Sequence, residues 1–131
     1  MPTFFDTNIL IYAQQSGAKG DTARHLLAQG GTISVQVLNE FASVASRKLN
    51  RSWREIDTAL ADLLAVLKPP LPLTLALHEA ARTLAATDRI SFYDALIVSA
   101  ARQAGCDRLY SEDLQSGRRF GALRIVNPFA A

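Results

Sequence analysis

The fold is decided near the start of the chain, by Pro2-Thr3-Phe4-Phe5-Asp6-Thr7-Asn8-Ile9-Leu10-Ile11-Tyr12. Aromatic residues lead into Asp6, small polar residues follow it, and apolar residues then resume with helical spacing. This pattern predicts a short buried strand, a turn and the start of a helix. Asp6 would then lie at the carboxyl end of a strand, where open α/β sheets bind their ligands. Taken alone, Asp6 is explained as well by a simple helix N-cap.

The totals of the sequence indicate one globular domain, and we expect residues 1–131 to form it. Hydrophobic residues make up 49% and charged residues 20% of the chain, which excludes a disordered protein. Cys106 is the single cysteine, so there is no internal disulfide, and this fits a reducing cytoplasm. No apolar run approaches the about 20 residues that a membrane span needs. We therefore expect a soluble cytoplasmic protein.

The basic residues are mostly arginines, 11 of the 14, although the formal net charge is only +2. Arginine favours bidentate contacts with phosphates and carboxylates. If a metal ion neutralised a few of the 12 acidic residues, the remaining surface would be clearly basic. Polyanions are then plausible partners.

Strand and helix patterns alternate along the rest of the chain, which predicts the α/β class. We expect one three-layer domain in which helices flank a short, central, mostly parallel sheet. A loop is predicted over 16–20, with Asp21 capping the helix that follows it. Further strands are predicted over 32–35, 107–110 and 123–126, helices over 37–49, 52–67, 75–87 and 91–102, an extended connector over 68–73, and an exposed basic loop over 115–121.

Three further acids lie where they can join Asp6. Glu40 borders the apolar face of the helix after the second strand, although an ordinary exposed glutamate near Arg47 would fit too. Asp94 begins a helix that is apolar nearly all round, where an unpaired carboxylate is costly to bury, but it also fits a capping position after Ser91. Asp113 follows a strand, as Asp6 does. Parallel strands bring their carboxyl ends to one edge, so all four acids can converge there.

Four ionised carboxylates in one hollow require a counter-charge. At separations of about 5 Å and an effective dielectric of about 20, each pair would repel by about 3 kcal/mol. Six such pairs exceed the about 5 to 15 kcal/mol that holds a typical domain together. Oxygen ligands without Cys or His favour Mg²⁺ or Mn²⁺. Such an ion can activate water and stabilise charge on a phosphoryl oxygen, which favours phosphodiester hydrolysis.

A basic turn follows the helix that carries Glu40. It contains Arg47, Lys48, Arg51 and Arg54, with Trp53 among them. Such a turn could hold RNA phosphates and stack a base. It could equally be a solvated helix junction whose tryptophan packs inward. The loop over 115–121 adds Arg118 as a candidate contact for RNA.

Four stretches of the chain together resemble the PIN-domain ribonucleases of the bacterial VapC toxin type. They occur in the expected order and cover nearly the whole chain. They are Phe5-Asp6-Thr7-Asn8-Ile9-Leu10, Asn39-Glu40-Phe41, Tyr93-Asp94-Ala95-Leu96-Ile97 and Leu109-Tyr110-Ser111-Glu112-Asp113-Leu114.

The resemblance implies a PIN-like fold and an endoribonuclease that is the toxin of a toxin–antitoxin pair. Asp6, Glu40, Asp94 and Asp113 would be the catalytic residues and would bind Mg²⁺ or Mn²⁺. Supporting residues would be Thr7, Asn8, Ser111 and Glu112. Threonine is more usual at the position of Ser111, and Glu112 is an additional acid beside Asp113 that could reach the metal. The resemblance also implies a homodimer and an antitoxin that blocks the acidic pocket, commonly with an arginine.

Three other readings of the sequence stay open. A haloacid-dehalogenase phosphatase needs a second Asp two positions after the first, where this chain has Asn8. A phospho-receiver signalling module, which is not an enzyme, needs paired acids near the first strand. The third reading is a PIN-like binding module without activity.

Overall fold

The computed structural model of the protein describes residues 2–130. Its centre is a row of buried residues on short parallel strands. Phe4 is in register with Leu109, which is in register with Ile125, and all three side chains are fully buried. The strands and helices are, in chain order, β1 (Thr3–Phe5), α1 (Thr7–Tyr12), α2 (Ala18–Ala28), α3 (Val35–Arg47), α4 (Trp53–Val66), α5 (Leu75–Asp88), α6 (Phe92–Gln103), β2 (Arg108–Tyr110), β3 (Arg119–Phe120) and β4 (Leu123–Val126).

The sheet has the strand order β1-β2-β4-β3. β1 pairs with β2 and β2 pairs with β4 in parallel, while β3 pairs with β4 antiparallel. Helices α1 to α6 separate β1 from β2 along the chain, whereas residues 111–122, which contain β3, connect β2 to β4. Both connections are long enough for parallel pairing. The predicted α/β class with a short, mostly parallel sheet is therefore confirmed.

The strand predicted over 32–35 is only partly formed. Single parallel bridges join Thr32 to Phe4 and Ser34 to Leu71, and they extend the sheet beyond β1. Helix α3 begins at Val35, two residues earlier than predicted, because the Ser34 hydroxyl accepts from the Val37 amide and caps the helix. The connector over 68–73 is extended, as predicted, since only Leu71 between its prolines can donate to the sheet.

Two predicted loops contain regular structure. Helix α2 begins at Ala18, so Asp21 lies in its first turn and pairs with Arg24 rather than capping the helix. Gly17, with φ of 108°, occupies the N-cap position. In the loop predicted over 115–121, Arg119 and Phe120 form β3 because Phe120 is buried at the sheet edge. Arg118 lies over the Phe120 ring and donates to the Asp88 carbonyl, so it is not a free loop cation.

Helix α6 is surrounded by the core, as its apolar pattern predicts. Every residue from 95 to 101 is buried, and α6 packs along α5 on one side and against β2 and α3 on others. Within residues 2–130, no helix combines the length and apolar character needed to cross a membrane.

We expect Leu109→Ala to lower the free energy of unfolding by about 2 to 5 kcal/mol, because it opens a cavity in the middle strand. Urea unfolding at neutral pH measures the change. Leu64→Ala is the control, since Leu64 on α4 is 39% exposed and its truncation leaves no enclosed cavity. Equal losses in the two variants would contradict this picture of the core.

Candidate active site

The carboxyl ends of β1 and β2 border a cavity of about 520 Å³. Helices α1, α3 and α6 supply its other walls. All four predicted acids line this cavity, together with the neighbouring acid of the last motif: Asp6, Glu40, Asp94, Glu112 and Asp113. The structure therefore brings together residues that are up to 107 positions apart in the chain.

Asp6 is the most buried of these acids, with only 6% of its surface exposed. It caps α1, since its Oδ1 accepts from the Thr7 amide at 2.7 Å. Its Oδ2 accepts from the Ser111 hydroxyl at 2.7 Å and from the Asn8 amide nitrogen at 3.4 Å. The capping and site readings of Asp6 are thus compatible, because different oxygens face the helix and Ser111.

Asn8 links the first and last motifs. Its Nδ2 donates to Asp113 Oδ2 at 3.2 Å as well as to Asp6. Its Oδ1 accepts from the Glu112 backbone amide at 3.1 Å. A single amide side chain therefore fixes the position of two carboxylates and of the loop after β2.

Glu40 and Asp94 approach from two helices. Glu40 is half-buried, and its Oε1 accepts from the Thr7 hydroxyl at 2.9 Å. Asp94 lies in the first turn of α6, where the Ser91 hydroxyl caps its backbone amide. Its side chain is only partly buried, so the expectation of a carboxylate enclosed by the apolar residues of α6 is wrong. The helix start reaches the cavity while the rest of the helix is enclosed.

Glu112 differs from the other acids because it has a cation of its own. Lys19 Nζ lies 2.6 Å from Glu112 Oε2, and the Tyr12 hydroxyl donates to Oε1 at 2.5 Å. These contacts hold the pKa of Glu112 below its ordinary value. The Lys19 ammonium also lies over the rings of Tyr12 and Phe129. No sequence signal pointed to Lys19 or Tyr12, because their partner is about 100 positions away.

Burial and neighbouring charges raise the pKa of Asp6 and the pKa of Glu40. Burial raises the pKa of Asp6 to about 6, and the charges of Glu40 and Asp113 add to this although hydrogen bonds from Ser111 and Thr7 oppose it. Burial also raises the pKa of Glu40, with further contributions from Asp94 and Asp113. Among residues 2–130, no Lys or Arg forms an ion pair with Asp6, Glu40, Asp94 or Asp113.

This donor set fits a hard divalent cation in its chemistry. Its ligands are carboxylate oxygens, without sulfur or imidazole, which suits Mg²⁺ or Mn²⁺. Within residues 2–130, no group of three or more His, Cys, Asp or Glu side chains is arranged to hold an ion unaided. Mg²⁺ commonly keeps several waters and takes only one or two carboxylates directly, so the spacing of the acids is compatible with it.

The predicted RNA-binding arginines lie in different places. Arg47 lines a cavity that adjoins Glu40, whereas Arg51 and Arg54 line another one beside Gln14. Arg118 is tied to the β3 region and lines neither of these cavities nor the acidic one. Lys48, which belongs to the same predicted basic turn, lines the acidic cavity. Trp53 is 64% exposed, so the alternative in which it packs inward is wrong.

A sequence-family model described as PIN domain matches residues 3–119. The chain belongs to the PIN domain family. All four motifs from which the resemblance was predicted lie within the matched residues. A comparison with curated proteins gives no match.

The solved structures that share the fold of this PIN domain include the following three. VapC20 of Mycobacterium tuberculosis, a toxin that cleaves the sarcin-ricin loop, is 26% identical, with a TM-score of 0.68 over 85% of this chain and 89% of that one. A toxin–antitoxin complex from Klebsiella pneumoniae is 22% identical, with a TM-score of 0.71 over 98% of this chain and 99% of that one. VapBC2 of Rickettsia felis, bound to a promoter DNA fragment, is 22% identical, with a TM-score of 0.66 over 95% of this chain and 97% of that one.

These findings confirm the relationship to VapC-type PIN ribonucleases that was predicted from the sequence. They do not favour the phospho-receiver alternative. Which residues of this PIN domain carry the chemistry stays a prediction from sequence, to which the structure adds the geometry of one shared cavity.

The raised pKa of Asp6 predicts how stability depends on pH. Between the ordinary pKa of 3.8 and the raised value of about 6, the folded protein binds more protons than the unfolded chain. Stability without metal should therefore fall by about 3 kcal/mol as pH rises through this window. Asp6→Asn should remove that part of the fall, and Mg²⁺ or Mn²⁺ should restore stability to the wild type above pH 6.

Urea unfolding at a series of pH values, in EDTA and with added Mn²⁺, tests this prediction. Asp57→Asn is the matched control, because Asp57 is an exposed acid on α4 outside the cavity. Parallel pH profiles for wild type and Asp6→Asn would show that ionisation of Asp6 does not cause the loss of stability.

Proposed function

We propose that this PIN domain is a metal-dependent endoribonuclease and the toxin of a toxin–antitoxin pair. The observation that carries the proposal is the acidic cavity, whose carboxylates come from separate elements. Thr7, Asn8 and Ser111 orient those of Glu40, Asp113 and Asp6. Carboxylates that face one cavity repel one another and destabilise the folded protein. Such arrangements are typical of sites that bind a cation or carry out a reaction. Membership of the PIN family supports the nuclease assignment.

In this proposal Asp6, Glu40, Asp94 and Asp113 hold Mg²⁺ or Mn²⁺. The bound ion would lower the pKa of a water and stabilise negative charge on the scissile phosphate. Ser111 and Asn8 keep the Asp6 and Asp113 carboxylates aimed into the cavity, while Thr7 does so for Glu40. Glu112 has a different role, since Lys19 and Tyr12 already neutralise and hold it.

The cations near the cavity suit a polyanionic substrate. Lys48 lines the acidic cavity itself, and Arg47 lies on the other side of Glu40. Both are exposed, so their charges are available to RNA phosphates. Arg51 and Arg54 would contact the RNA farther along its backbone, at the cavity beside Gln14. Arg118 is the weakest of the predicted contacts because it is committed to Asp88 and Phe120.

The structural relatives support a protein partner. One is a toxin–antitoxin complex and another is VapBC2 bound to promoter DNA. We propose that an antitoxin covers the acidic cavity of this chain with a basic side chain, which would take the place of the cation. A homodimer and a cytoplasmic location complete the proposal, as the resemblance to VapC toxins implies.

A PIN-like binding module without activity is the remaining alternative. It would have no need for four carboxylates that face one cavity, or for the hydrogen bonds that orient three of them. Loss of one acid or of the supporting hydroxyl would be expected in such a module, and this chain retains Asp6, Glu40, Asp94, Asp113 and Ser111.

Asp94→Asn should abolish RNA cleavage while the protein still folds, because Asp94 is partly exposed and makes no buried ion pair. Cleavage of a labelled RNA pool in Mg²⁺ or Mn²⁺ is the measurement, with thermal unfolding as the check on folding. Asp57→Asn on α4 is the control and should cut as wild type does. Undiminished cutting in EDTA, or by Asp94→Asn, would eliminate the metal mechanism.

Replacing Arg51 and Arg54 together by Ala should weaken RNA binding and reduce its dependence on salt. If each contacts one phosphate of a single strand, the slope of log K against log salt should fall by about 1.4 in magnitude. Fluorescence anisotropy across a salt series measures it. The control replaces Arg82 on α5 and Arg124 on β4, which removes the same charge elsewhere; an identical slope change in both pairs would refute a specific contact.

A further inference from the structure

A second cavity, of about 430 Å³, adjoins the acidic one. Glu40 and Val44 line both cavities, so the two are neighbours across helix α3. The other residues that line the second cavity are Gln36, Asn39, Ser43, Arg47 and Tyr93. None of the carboxylates other than Glu40 lines this cavity, so its chemistry differs from that of the acidic site.

Tyr93 is the aromatic residue of this cavity, and it immediately precedes Asp94 on helix α6. It is 59% exposed, although tyrosine rings generally bury most of their surface. Its ring packs edge-on against the Phe92 ring, with 5.6 Å between the ring centroids, and the Phe92 ring packs in the same way against His78 at 5.2 Å. The ring is thus supported at one side and accessible elsewhere, as a stacking platform requires.

The polar residues of the second cavity suit a nucleotide. Arg47 donates Nε–H to the Ser43 hydroxyl at 3.1 Å, which orients the guanidinium. Its terminal nitrogens form no ion pair with an acid of residues 2–130. Gln36 and Asn39 add amide groups, which can donate to and accept from the edge of a base.

We propose that Tyr93 stacks on an unpaired base of a nucleotide next to the scissile phosphate, while Arg47 binds a phosphate of the same nucleotide. The inference rests on the proposed function and adds the two side chains that would hold the nucleotide beside the acids. A base within a duplex is already stacked and paired, so its face is not open to Tyr93. Glu40 lies between the two cavities, so a base held at Tyr93 brings the adjoining phosphodiester towards the acids.

The sequence suggested a different aromatic, Trp53, as a base-stacking residue. Trp53 is also exposed, at 64%, but it lines neither the acidic cavity nor the second one. Exposure alone therefore does not separate the two aromatics. Position relative to the carboxylates does, and it favours Tyr93.

Binding of a fluorescein-labelled single-stranded RNA of mixed sequence, measured by anisotropy in EDTA, tests the proposal without depending on cleavage. Tyr93→Ala should weaken binding about 5- to 150-fold, the range for one stacked base, and Tyr93→Phe should bind as wild type does. An oligomer of equal length and charge without bases should bind wild type and Tyr93→Ala equally. Arg47→Ala should reduce the salt slope by about 0.7 with either ligand.

Leu75→Ala is the control, because Leu75 is 72% exposed at the start of α5 and lines none of these cavities. It should bind RNA as wild type does, and thermal unfolding should be alike for all variants. Equal binding by Tyr93→Ala and wild type overturns the inference, as does a base-dependent loss in Trp53→Ala alone.

Cleavage assays separate this inference from the proposed function. If wild type cuts RNA, Tyr93→Ala should raise KM with kcat nearly unchanged, because stacking holds the ground state and transition state alike. If Tyr93→Ala cuts RNA with the KM of wild type, the nuclease assignment stands and the stacking role is refuted. Base-dependent binding through Tyr93 by a wild type that cuts no RNA refutes the nuclease assignment and retains the stacking role. Failure of wild type to bind or cut RNA refutes both.

Discussion

The site depends on the parallel pairing of β1 with β2, which places the residues that follow the two strands side by side. The Asp6 amide donates to the Tyr110 carbonyl at 3.0 Å, and the Ser111 amide donates to the Val126 carbonyl at 3.0 Å, so the ladder continues one residue past each strand. This register brings the Ser111 hydroxyl to the Asp6 carboxylate at 2.7 Å. A shift of one residue would turn these side chains to the opposite face of the sheet, because strand residues alternate between faces. The buried row of Phe4, Leu109 and Ile125 prevents that shift, since it would expose the core. Packing therefore determines the geometry of the acids.

The acids themselves oppose folding, and the chain limits this cost in two ways. Donors from Thr7 and Ser111 satisfy the oxygens of Asp6 and favour its ionised form, and Asn8 donates to an oxygen of Asp113. Lys19 compensates the charge of Glu112, the acid nearest to Asp113 in the chain, and Tyr12 donates a hydrogen bond to it. What remains is a cluster in which burial and neighbouring charges raise the pKa of Asp6 and the pKa of Glu40. A divalent cation or a basic side chain of a partner would relieve the repulsion. The same electrostatic property would thus explain both the binding of a metal and inhibition by an antitoxin, without a separate site for each.

Local patterns in the sequence predicted the parts of the fold in which neighbouring residues determine the structure. The strand-turn-helix around Asp6, the capping of α6 by Ser91 and the enclosure of α6 are read directly from spacing and residue type. The helix start at Val35 and the strand at Phe120 were missed, because a cap and a buried aromatic in a short hairpin overrode the periodicity. The environment of Asp94 was misjudged for a related reason: hydrophobic neighbours on a helical wheel do not show that the first turn reaches a cavity. Contacts between distant residues, such as Lys19 with Glu112, have no local signal at all.

Helix α6 explains why acid and aromatic can serve different parts of a substrate. Successive residues of a helix point about 100° apart, so Asp94 and Tyr93 line different cavities although they are adjacent in the chain. Helix α3 has the complementary arrangement, with Glu40 lining both cavities. The first turn of α6 is rigid, because Ser91 caps it and residues 95 to 101 anchor it in the core. A base stacked on Tyr93 would therefore be held at a fixed position relative to the Asp94 carboxylate. Placement of this kind would hold the adjoining phosphodiester beside the acids in the ground state and in the transition state alike, so it strengthens substrate binding. The first turn of α6 would then determine both the affinity for an unpaired base and the position of cleavage.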